Sequence, residues 1–115
     1  MKDLEDMANS DFIGKMVIIP PHGYQSREIV MYLASIRDGQ MMFFDYCGDR
    51  RRMPEGEVEL RMATKYEVAE DYLHEAGVNR PLSELPKDKA EPLVERLYAD
   101  VMEMCKGKAS EWECV

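Results

Sequence analysis

The chain is poor in the residues on which most enzymes depend. It holds two histidines, His22 and His74, three scattered cysteines and one tryptophan among 115 residues. It has no Gly-rich phosphate loop and no nucleophile elbow, so phosphoryl transfer and serine-type hydrolysis lack their signatures. The cysteines Cys47, Cys105 and Cys114 are odd in number and without CxxC spacing. That argues against a disulfide framework or a zinc knuckle and predicts reduced thiols in a cytoplasmic compartment. No apolar run approaches the roughly 20 residues of a membrane span. The acidic opening Met1-Lys2-Asp3-Leu4-Glu5-Asp6 does not read as a signal peptide. Basic residues are also few, 15 against 23 acidic, for a net charge of −8. Such a balance opposes general binding of a phosphate backbone, so nucleic acid is not an expected partner. The expectation is a protein without catalytic residues, metal, cofactor or membrane contact.

What is present reads as one domain over residues 1–115. Hydrophobic residues at 45% with charged residues at 33% are globular proportions, and a chain of this size buries roughly two-thirds of its unfolded surface without disulfides. Residues 3–9 offer a short lead-in helix. Residues 12–19 are rich in β-branched side chains and stop at Pro20-Pro21, which predicts a strand ending there. Residues 27–36 predict a second strand, although the apolar run Ile29–Ala34 also suits a buried helix, and flanking turns must arbitrate. Asp38-Gly39 between apolar runs is a strong hairpin signal, because a type I′ turn needs positive φ at both centres. Residues 41–46 return as a strand, Cys47-Gly48-Asp49 turns again, and residues 57–62 alternate with Val58, Leu60 and Met62 inward. Short strands and tight turns over residues 11–63 predict a small antiparallel barrel.

The second half, residues 64–107, is helical in pattern. Thr64-Lys65-Tyr66-Glu67 spells a capping box, and Gly77 supplies a C-terminal stop. A second helix fits residues 88–106, with Val94, Leu97, Val101, Met104 and Cys105 as its apolar stripe. Its start stays open between an Asp88 cap and Pro92 in the first turn. Gly107 is expected to close it, leaving 108–115 as a tail that carries Trp112.

Three constellations offer chemistry. Glu70 and His74, one turn apart beside Glu67 and Asp71, present metal-ligand types, but a solvated acidic helix face gives the same spacing. Arg50-Arg51-Arg52 would grip a phosphate or carboxylate, or would simply protect an exposed strand edge by its charge. Tyr24, Tyr32, Phe43, Phe44 and Tyr46 are half of the aromatic residues, gathered in 23 positions. They either fill a core or surround a cation as a surface cage. Phe43 and Tyr46 fall on opposite faces of a straight strand, so a shared pocket requires a bend or bulge near Asp45.

The segments Tyr32-Leu33-Ala34-Ser35-Ile36, Phe43-Phe44-Asp45-Tyr46 and Val58-Glu59-Leu60-Arg61 occur in an order that resembles the Tudor domain. That family has an SH3-like barrel, and the likeness spans residues 12–63. It implies an aromatic recognition surface at Tyr24, Tyr32, Phe43 and Tyr46, with Asp49 (or Gly48) at the family's asparagine position. Cys47 stands where the family usually has glycine, and Leu33 where arginine is common. The expected fold is α+β, an SH3/Tudor-like barrel followed by two packed helices. The expected role is non-enzymatic binding of a protein partner through Tyr24, Tyr32, Phe43, Tyr46 and Asp49. A small acidic inhibitor that mimics nucleic acid, as in a phage or mobile element, is the alternative that net −8 and the acidic helix 64–76 motivate.

Overall fold

A computed structural model describes residues 9–21, 23, 26–78 and 82–113. The lead-in helix, His22, Tyr24 and Cys114 lie outside the described residues. The architecture is α+β: five antiparallel strands, then two helices. The strands are β1 (Lys15–Ile19), β2 (Ile29–Arg37), β3 (Gln40–Phe44), β4 (Arg50–Pro54) and β5 (Arg61–Met62), and the helices are α1 (Lys65–Glu75) and α2 (Lys87–Glu113). The sheet order is β4-β3-β2-β1-β5, a meander whose last strand returns beside the first. The edges β4 and β5 do not pair with each other, so the sheet is open and not a closed barrel.

Local chemistry explains most of the element boundaries. The β2–β3 hairpin turns at Asp38 (φ 52) and Gly39 (φ 75), both left-handed as a type I′ turn demands. Thr64 caps α1 with both halves of a capping box. At the other end the Gly77 and Val78 amides donate to the His74 and Leu73 carbonyls, closing the helix as a Schellman motif. β1 starts later than its composition predicts, because Asn9–Phe12 is a 3-10 turn and Gly14 takes a positive φ of 83. Phe12 still reaches the core. β5 is only two residues long, and Val58 and Leu60 face inward without joining a ladder.

Alternation along the strands makes two cores. Val17, Ile19, Met31, Leu33, Met41, Phe43, Met53 and Leu60 gather on one face together with Phe12. Met16, Ile18, Tyr32, Met42 and Phe44 face the other way and meet Val68, Val101, Cys105 and Ala109 of the helices. A bulge between Leu33 and Ser35 keeps this division intact. The extra residue, Ala34, lets Ile36 rejoin Leu33 on the first of these faces, opposite Met41.

α2 departs most from expectation. It begins at Lys87 and runs through Pro92 and Gly107 to Glu113, so residues 108–113 continue the helix and are not a separate tail. Proline removes one hydrogen bond from the second turn, and an interior glycine costs about 1 kcal/mol relative to alanine. The burial of Val101, Cys105 and Ala109, with Trp112 packed edge-on against Phe44 at 6.0 Å, outweighs both costs. Among the described residues no helix is long and apolar enough to cross a membrane.

Candidate functional site

The rings singled out by sequence do not converge. Tyr32 (8% exposed) lies under the helices, whereas Phe43 (0% exposed) is sealed in the core on the opposite face. No bulge occurs near Asp45, and the one that exists, at Ala34, does not bring these faces together. Core packing therefore accounts for Tyr32, Phe43 and Phe44. Tyr46 is different. β3 ends at Phe44, and the chain turns so that Tyr46 stands half-buried against Tyr72 of α1, edge-to-face at 5.1 Å.

Asp45 builds that turn. Its side chain accepts the Cys47 and Asp49 amides, both at 2.9 Å, while its own amide donates to the Asp49 carbonyl at 3.0 Å. An aspartate bonding its own loop in this way fixes the chain where no ladder can. Asp49 is thereby held exposed at the lip of a cleft of about 690 Å³. The far wall is the last turn of α1, with Asp71 and Glu75, and the floor is the start of β2. A second cleft of about 490 Å³ continues along α1, lined by Ile18, Leu73, His74, Val78 and Leu82. Glu28, Val30 and Asp71 line both clefts, making one groove between β2 and α1.

Carboxylates dominate this groove. Glu28, Asp45, Asp49, Glu67, Glu70, Asp71 and Glu75 face it against the guanidinium groups of Arg27, Arg50 and Arg51. Arg61, next to it, occupies Glu67 and Glu28, and Arg27 pairs with Glu75 at 3.6 Å. Asp49, Glu70 and Asp71 carry no salt bridge among the described residues. Burial pushes the Asp71 carboxyl above its ordinary range, Glu75 adds to the rise, and Arg27 and His74 pull against it. Burial also pushes the Tyr46 phenol up to about 12, aided by its hydrogen bond to Cys47 and by the charges of Cys47, Glu75 and Asp71. The groove thus offers a neutral phenol beside under-compensated negative charge, which suits a guanidinium or ammonium guest.

The Glu70–His74 pair lines this groove, but among the described residues no three His, Cys, Asp or Glu side chains gather closely enough to hold a metal. Cys105 is buried, its thiol pushed up to about 12 by that burial, and it packs as core. Cys47 is exposed. Of the expected site, Tyr46 and Asp49 share the groove, Tyr32 and Phe43 do not, and Tyr24 lies outside the described residues. Asp71 and Glu75 were absent from the predicted recognition set, although their one-turn spacing flanking Tyr72 marks a common helix side. No protein-family model, no curated protein and no solved structure matches this chain.

Proposed function

We propose that this protein is a non-enzymatic protein-binding module that receives a basic segment of a partner in the groove between β2 and α1. The observation that carries this role is the meeting of Tyr46 and Asp49, from the β3–β4 loop, with Asp71 and Glu75 of α1 around one cleft. A lysine or arginine entering there would relieve the repulsion that Asp71 experiences and gain a ring edge and several acceptors. The meander with its returning fifth strand supports an SH3/Tudor-like scaffold for residues 11–63, without hydrogen-bonded closure. With Tyr32 and Phe43 on opposite faces, recognition of methylated side chains has no four-ring cage to rest on.

The α1 carboxylates line a cleft together with Tyr46, which supports a receiving groove, and the charges of α2 add no support for a nucleic-acid mimic. The exposed side of α2 mixes both signs, as in Lys87, Asp88, Lys89, Glu91, Glu95 and Arg96, and does not repeat a row of phosphates. The test is calorimetric titration with a short peptide rich in Lys and Arg, against the same peptide with Gln in their place. The basic peptide should bind and the Gln peptide should not. Asp49→Asn with Asp71→Asn should weaken binding by about tenfold, as expected for loss of about 1.4 kcal/mol. Equal binding of both peptides, or no effect of the double substitution, would overturn the assignment.

A further inference from the structure

We propose that the free edge of β4 is a docking strand for an acidic, extended segment of a partner protein. β4 ends the sheet, and no described strand pairs with its outer side. The pairing pattern shows which backbone groups it offers. Asp45 bonds Asp49, and Glu55 bonds Gly39, at either end of the β3–β4 ladder. In the register Phe44↔Arg50, Phe43↔Arg51, Met42↔Arg52, Met41↔Met53 the hydrogen-bonded pairs alternate from those ends. Arg51 and Met53 therefore bond inward to β3, while Arg50 and Arg52 turn their N–H and C=O groups outward. Pro54 follows on the same outward set, where its missing N–H costs β3 nothing and ends the run of outward donors.

The side chains select what can pair there. Arg50 and Arg52 share one face, both exposed, so an added strand with Glu or Asp at alternate positions would place carboxylates directly opposite them. A second copy of β4 would set arginine against arginine, which disfavours self-pairing. Arginine and proline are devices that keep neutral and basic strands off an edge; here the same charges make the edge selective for an acidic one. This surface is opposite in sign to the groove, which it adjoins at Arg50.

Arg50 stacks over the sole tryptophan, Trp112, at 5.7 Å, so the indole reports on the edge. The experiment titrates a short peptide alternating Glu with Thr, following Trp112 fluorescence and hydrogen exchange at the Arg50 and Arg52 amides. Saturable binding should slow both amides by about tenfold or more at saturation. Backbone N-methylation of the peptide residues that bond β4 should abolish binding, and N-methylation of the intervening residues should spare it. Arg50→Glu with Arg52→Glu should abolish binding while leaving circular dichroism unchanged, and Arg50→Lys with Arg52→Lys should retain it. Equal binding of the two N-methylated peptides, unprotected amides, or survival of binding in the Glu variant would each overturn the proposal. Sedimentation that shows peptide-free self-association, lost in the same Glu variant, would place a second copy on the edge and overturn it as well.

Discussion

Arg61 holds Glu67 through two parallel bonds, Nη1 to Oε1 at 3.0 Å and Nη2 to Oε2 at 2.7 Å. Its Nη2 also reaches Glu28 at 3.1 Å, while Glu67 completes the Thr64 capping box. The Arg61–Glu67 pair thus ties β5, the start of α1 and the lead into β2 together. The Arg61 bond, more than any other contact, holds the Glu67 carboxyl down at about 2 against an ordinary 4.5. A depressed carboxylate stabilises the fold above its unfolded value and loses that contribution as pH falls through its folded value. Glu67→Gln should therefore cost about 1 kcal/mol near neutrality, a figure kept small because the pair is partly exposed. Urea titrations of both proteins should converge as pH drops from about 4.5 towards 2; a gap that persists unchanged at the acid end would contradict the assignment.

Gly77 and Gly107 should respond to alanine in opposite directions. A methyl group meets nothing within 4 Å at either position, so packing is not at issue. Gly77 sits at φ 83, where an L side chain is strained, and Gly77→Ala should destabilise by about 1 kcal/mol. Gly107 lies within α2, and Gly107→Ala should stabilise by about 0.5–1 kcal/mol. Thermal melting of the two variants checks both signs.

Phe43 and Tyr46 differ in depth, and truncation should show it. Phe43→Ala removes a fully buried ring and should cost about 3–5 kcal/mol. Tyr46→Ala loses the edge contact with Tyr72 and partial burial, about 1–2 kcal/mol. If chemical denaturation ranks them the other way, the faces of β3 are misassigned.

The thiols should separate by rate. In a Cys114→Ser background, an alkylating reagent should modify exposed Cys47 quickly and buried Cys105 only as the protein opens. Equal rates under native conditions, read by mass spectrometry, would contradict the packing of α2 on the sheet.

Features written in adjacent residues were legible from sequence. Asp38-Gly39 dictates its own backbone, Thr64 and Glu67 satisfy each other's amides, and Gly77 ends a helix because its φ is available to it. Features that depend on distant partners were not. Gly107 stops an isolated helix, yet Ala109 and Trp112 find the sheet and carry α2 onward. Period-two alternation separates Phe43 from its neighbours without saying which face the helices cover, so a sealed ring and a candidate cage ring look alike. Tyr46 and Asp49 were identifiable, but the α1 carboxylates opposite them become neighbours only once α1 has packed against β2.

The return of Arg61–Met62 to the outer side of β1 also sets an order of events during synthesis. β1 to β4 each lie beside a neighbour just made, but Val17 and Ile18 wait for partners more than forty residues downstream. Until that length has left the ribosome, the most apolar strand of the nascent chain keeps one side unguarded. Translation pauses before residue 62 has emerged should therefore raise the demand for chaperone protection above that of pauses just after it has emerged.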